Sequence, residues 1–146
     1  MPLSPDSIWI REAVAWQVHN RSMATTGLIL FAHGARDSRW REPFERLQRK
    51  VQVARPDVAV GLAFLELMQP DLLVAADALA AGGCRTLRIV PVFLGQGGHV
   101  REDLPAAVEA VRARHPGLDI ELRLAIGEDD AVLDQIVITA LAGLPK

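Results

Sequence analysis

Three side chains in this sequence are both chemically able and regularly placed: His33, Glu66 and His99. Each follows an apolar run. Leu28-Ile29-Leu30-Phe31-Ala32 ends at His33-Gly34, and Val58-Ala59-Val60-Gly61-Leu62-Ala63-Phe64-Leu65 ends at Glu66. Leu87-Arg88-Ile89-Val90-Pro91-Val92-Phe93-Leu94 gives way to Gly95-Gln96-Gly97-Gly98 and then to His99. Imidazole and carboxylate together ligate first-row divalent metals, and neutral imidazole accepts protons near pH 7. A lone histidine at a strand end usually has a structural explanation. Two histidines and a glutamate brought to one edge are better explained as a site that holds a cation or moves a proton.

Whether they meet depends on the elements beneath them. Apolar runs bounded by Gly and polar turns read as strands buried on both faces, over about 27–33, 58–65 and 86–93, with a fourth at about 119–125. Helical spacing lies between them. Trp40, Phe44, Leu47 and Val51 share one face, with Asp37 or Ser38 as cap and Pro43 in the first turn. Leu72, Ala76, Leu79 and Ala80 form the next stripe, which Gly82-Gly83 stops. A third helix is expected from near Arg101, with Leu104, Ala107, Val108 and Val111 inward, and a last one with Val132, Leu133, Ile136, Val137 and Ala140. The order β-α-β-α-β-α-β-α implies an α/β fold with a four-stranded parallel, doubly wound sheet covered on both faces. All its strands then point their carboxyl ends at one rim. In the common order 2-1-3-4 the chain reverses between strands one and three, where ligands bind, and that crevice is flanked by His33 and His99.

Arg36, Arg39 and Arg41 follow the first strand, and Arg101 follows His99. Arginines at one mouth of a net-acidic chain point to an anionic ligand with several carboxylates or phosphates. The N–H groups around Gly97 and Gly98, at a helix start, could add contacts to it. This glycine segment is neither a P-loop nor a dinucleotide fingerprint, because the required spacings are not met. The other histidines have plain readings. His115 ends a helix, where a partly charged imidazole is favoured, and His19 lies in an irregular N-terminal stretch.

Composition narrows the classes. The chain has 146 residues, half of them hydrophobic, which fits one globular domain. A formal charge of −2 and the absence of Tyr argue against nucleic-acid binding. No apolar run reaches the roughly 20 residues of a membrane span, and no secretory signal is visible. The lone Cys84 excludes an internal disulfide and suits a reducing cytoplasm. Residues 1–24 differ in character from the domain expected over 25–146. They hold Trp9 and Trp16, and translation is read either as starting at Met23 or as including a short amphipathic helix.

Phe31-Ala32-His33-Gly34-Ala35-Arg36-Asp37, Ala63-Phe64-Leu65-Glu66 and Gly97-Gly98-His99-Val100-Arg101-Glu102-Asp103-Leu104-Pro105 resemble the small class II chelatases. These are the sirohydrochlorin cobalto- and ferrochelatases of cobalamin and sirohaem synthesis. The resemblance spans about residues 26–142. It implies insertion of divalent cobalt or iron into an octacarboxylic tetrapyrrole, with His33 and His99 as metal-binding and catalytic residues and Glu66 as the family glutamate. It implies a half-size lobe acting as a homodimer, with the metal as substrate and no permanently bound cofactor. Arg36, Arg101, Gly97 and Gly98 are the expected tetrapyrrole contacts. Many members carry Ser where this chain has Ala35, which removes a hydroxyl near the site. A carrier of metal or tetrapyrrole using the same pocket is the alternative. An α/β-hydrolase is disfavoured by the lack of a Gly-x-Ser-x-Gly elbow, and a histidine phosphatase by Ala32 before His33.

Overall fold

The computed structural model describes residues 24–146. The expectations for the N-terminal stretch, including Trp9, Trp16, His19 and a start at Met23, lie outside the described residues. Four strands form one sheet: β1 (Thr26–Ala32), β2 (Ala59–Phe64), β3 (Thr86–Pro91) and β4 (Asp119–Leu122). All neighbours pair in parallel, in the order β2-β1-β3-β4. Four helices alternate with them: α1 (Glu42–Ala54), α2 (Leu72–Ala81), α3 (Gly98–Arg114) and α4 (Asp130–Leu141). Short 3-10 turns precede α1 at Ser38–Arg41 and α4 at Ile126–Glu128.

Side-chain alternation splits the core in two. Ile29, Phe31, Leu87, Ile89 and Ile120 meet α2 through Leu72, Ala76 and Leu79, and α3 through Leu104, Val108 and Val111. Leu30, Val60, Leu62 and Phe64 face the other way, toward Phe44, Leu47 and Val51 of α1. Phe31, Phe64, Ile29 and Ile89 are fully buried. Each such side chain contributes about 1.5–3 kcal/mol relative to exposure, so Ile89→Ala would cost about 2–5 kcal/mol. Cys84 is buried beside this core, and its burial pushes the thiol up. The helix starts follow local chemistry. Asp71 caps α2 by accepting from the Val74 N–H at 2.9 Å, and Asp37 caps the first 3-10 turn by accepting from the Arg39 N–H at 2.9 Å.

Three expectations change. Strand β4, at the sheet edge as the expected order 2-1-3-4 requires, ends at Leu122 rather than near 125. Helix α3 begins at Gly98, not near Arg101, and runs through Pro105. Helix α4 carries its apolar stripe but does not close over the sheet. None of its residues is buried, and among the described elements its main contact is the 3-10 turn just before it. One sheet face is therefore covered by α2 and α3, and the other only over β2 and β1 by α1. Among the described residues no helix is long and apolar enough to cross a membrane.

Candidate metal site at the strand ends

Pairing between β1 and β2 continues past their formal ends. Leu65 N–H donates to the Ala32 carbonyl at 2.9 Å, and Glu66 N–H to the His33 carbonyl at 3.1 Å. Those two bonds set His33 and Glu66 side by side. Gly34 then turns away with φ of 99°, and a Cβ there would run into the Glu66 carbonyl. Glycine is required twice at this position, for its positive φ and for the close approach. From the other side, Val92 N–H donates to the Phe31 carbonyl at 2.8 Å. The next residue, buried Phe93, sets its ring edge-on to His33 with centroids 6.2 Å apart. His99 enters from the first turn of α3, whose cap is Gly97.

The three side chains converge. His33 Nε2 lies 2.9 Å from Glu66 Oε1, and His99 Nε2 lies 3.9 Å from Glu66 Oε2. The imidazole centroids are 5.8 Å apart. One donor atom from each of His33, Glu66 and His99 falls within 4.8 Å of the other two. Donors held about 2.1 Å from a shared ion stand roughly 3–4 Å from each other, so this is a slightly open cage. The His33 Nε2 atom is itself buried and makes no hydrogen bond, although it lies 2.9 Å from Glu66 Oε1. An unmade bond at a buried polar atom costs about 1–3 kcal/mol. A cation among the three donors would remove that cost.

The model of the CbiX family matches residues 27–140. The chain belongs to the CbiX family. A CbiX protein of Marinobacter aquaeolei VT8, named for cobalamin (vitamin B12) biosynthesis, is 33% identical in its crystal structure. The superposition gives a TM-score of 0.66 over 80% of this chain and 97% of that one. The sirohydrochlorin cobaltochelatase of Sulfurisphaera tokodaii is 29% identical over 111 residues, 74% of this chain and 85% of that protein. Bacillus subtilis SirB, solved with Fe3+, shares the fold at a TM-score of 0.71 and 21% identity. That match covers 83% of this chain but 48% of SirB, so this CbiX chain spans about half the length of that protein.

Around the cage of this CbiX chain the arginines separate. Arg36 and Arg101 are exposed, and their guanidinium groups have no partner among the described residues. Arg39 instead grips Asp37 at 2.7 Å, which holds that carboxyl below its usual range. Arg41 is buried. It bonds Glu45 at 2.9 Å and the Gln69 carbonyl at 3.3 Å, and it lies 5.2 Å from the Phe64 ring centre. Arg39 and Arg41 therefore brace the loop rather than line a mouth. Gly97 and Gly98 stand at the start of α3 in open surroundings.

Two neighbours of the site were not singled out from sequence. Asp103 Oδ2 sits 3.6 Å from His99 Nε2, one helical turn on. The i,i+4 spacing was available as a signal, but a helix expected from Arg101 leaves His99 outside it. Phe93 reads only as an apolar strand residue until the fold puts it against His33.

Proposed function

We propose that this chain is a chelatase that inserts divalent cobalt or iron into sirohydrochlorin. The observation that carries this is the convergence of His33, Glu66 and His99 at the switch point of the sheet, in a chain of the CbiX family. Insertion needs the cation stripped of water and two pyrrole N–H protons removed as the metal takes their place. In this reading His33 and His99 hold the cation through ring nitrogens, and Glu66, within reach of both and open to solvent, accepts the two pyrrole protons one after the other and passes each to water. Arg36, Arg101 and the N–H groups at Gly97 and Gly98 receive the carboxylates of the substrate. The metal is a substrate, and the reading includes no resident cofactor. A cytoplasmic setting fits the single buried thiol.

Two copies form the working unit in this reading. Helix α4 exposes Leu133, Ile136, Val137, Ile138 and Leu141, and an apolar groove runs along it past Val132 and Ala140. Helix α1 leaves the adjoining half of the sheet open, where Val90 and Val92 are only half-buried and Arg88 pairs with Glu121 in solvent. SirB has room for about two such lobes in one chain. A second copy supplies the matching apolar surface. Sedimentation should show a dimer for the wild type and a folded monomer for Ile136→Asp. A wild-type monomer at tens of micromolar would refute the pairing.

Mixing protein, Co2+ and sirohydrochlorin and following the absorbance change tests the activity. A rate above the protein-free reaction supports the chelatase. Binding of both substrates with no acceleration would leave a carrier.

A further inference from the structure

The inference here rests on the chelatase reading and concerns how the flat ring is seated. Immediately after Glu66 the chain makes a three-residue turn. Met68 N–H donates to the Glu66 carbonyl at 2.8 Å, and the central residue, Leu67, has φ of 63°. This is the positive-φ γ-turn, the rarer and more strained form. For a large side chain such a φ is an outlier that only a constrained setting maintains. The setting is visible: the Glu66 carbonyl is pressed against Gly34, and Glu66 N–H is tied to His33. Yet the Leu67 side chain is 59% exposed. Glycine or asparagine would fill the turn with less strain and with loss of only the smaller, buried part of the side chain.

A second leucine repeats the pattern beyond the other side of β1. Leu94 follows buried Phe93 and is 64% exposed. Its backbone is also fixed. The Leu94 carbonyl abuts Gly127, where a Cβ would collide with it, and Gly127 N–H donates to the Phe93 carbonyl at 2.9 Å. Leu67 leaves the end of β2 and Leu94 leaves the end of β3, with His33 at the end of β1 between them. Two strand spacings put them on the order of 10 Å apart along the rim. Scattered exposed leucines need no explanation. A pair on rigid backbones, one of them strained, either side of a His/Glu cage is a different case.

We infer that Leu67 and Leu94 are substrate-seating residues, two apolar contacts against the unsaturated face of the tetrapyrrole macrocycle that hold its centre over His33, Glu66 and His99. The carboxylates at the ring's edge are left to Arg36 and Arg101. Apolar contact with the ring face fixes depth and tilt, which edge charges on long side chains cannot do.

The test is a metal-free titration of the whole protein with sirohydrochlorin, read by absorbance, beside calorimetry with Co2+ alone and thermal unfolding. Leu67→Asn keeps a residue that tolerates positive φ. It should weaken sirohydrochlorin binding about tenfold, as expected for losing most of one apolar side-chain contact. Leu94→Asn should act similarly, and the double variant should lose about a hundredfold. Cobalt affinity should stay within twofold, the melting temperature of Leu67→Asn should hold or rise, and Leu67→Met should bind the ring within a few-fold of wild type. Undiminished binding by the double variant would overturn the inference while leaving the chelatase reading intact. So would cobalt affinity falling in step with ring binding, which would mean the turn serves only to aim Glu66. Failure of the wild type to bind sirohydrochlorin at all would remove both.

Discussion

Helix α3 has a histidine at each end, and each faces a carboxylate, but the two contacts differ in kind. His115, the C-cap, bonds Asp77 of α2 at 2.6 Å, and Arg114 takes the other oxygen of that carboxylate at 3.1 Å. Both oxygens of the Asp77 carboxylate are engaged, and the result ties α2 to α3. His99, in the first turn, stands 3.9 Å from Glu66 and 3.6 Å from Asp103, too far for either to be a hydrogen bond. His33 beside it has a buried nitrogen with no bond at all. The same residue types are thus bonded to each other at one end, while at the other His33, Glu66 and His99 gather around a common space, with His33 Nε2 2.9 Å from Glu66 Oε1 and His99 beyond bonding distance. The bonded His115–Asp77 pair has spent its capacity on the fold. Donors that gather on separate elements without closing a hydrogen bond retain theirs for something else.

The largest expected effect breaks the open end. His99→Ala should cut metal insertion by two orders of magnitude or more while the far-ultraviolet circular dichroism stays that of the wild type. Near-normal turnover would defeat the assignment. His33→Ala should also weaken cobalt binding in calorimetry, and unchanged affinity would count against a shared cation.

A smaller effect is expected at the closed end. His115→Ala should lower stability by about 1 kcal/mol in urea unfolding, reduced from the value for a buried charged bond because the pair is partly solvated. Turnover per folded molecule should not change. A loss of activity without a loss of stability would erase the distinction between the two ends.

The smallest effect sharpens the contrast through pH. Arg55 and Asp57 form another closed pair at the same end of the sheet, with a contact of 2.7 Å. The hydrogen bonds from Arg55 hold the Asp57 carboxyl at about 2, below its ordinary 3.8. A depressed folded value means that the pair stabilises fully above pH 3.8 and that this is lost as pH falls toward 2. Both groups are exposed, so the effect is slight. Wild type and Arg55→Gln should differ a little in melting temperature at pH 6 and converge near pH 2. A difference that grows with acid would show the sign to be wrong.

Much of this molecule could be read from its residues. Alternating apolar runs and helical stripes gave the element order, because each segment's burial pattern is local and periodic. Parallel pairing follows from helix-length connections, and that alone sends Leu65-Glu66 and Ala32-His33 to one rim. The start of α3 was less readable. Gly97, Gly98 and Pro105 all weigh against a helix in isolation, yet α3 forms there because Val100 and Leu104 are buried against the sheet. With that start misplaced, Asp103 could not be recognised as the i+4 neighbour of His99.

Arg41 and α4 failed for the opposite reasons. A charged residue in a polar stretch reads as exposed, but Arg41 finds Glu45, the Gln69 carbonyl and Phe64 together, and these meet only in three dimensions. The stripe on α4 reads as a buried face, and periodicity cannot say whether the surface that buries it belongs to the same chain. The sequence by itself determined the parallel α/β order, with His33 and Glu66 at strand ends and His99 in the segment after the third strand, since both depend on spacing along the chain. Tertiary structure decided the distances among those donors, the strained turn at Leu67 and the bare face of α4. Those depend on how separate elements dock, and docking is set by volumes and angles that no local pattern encodes.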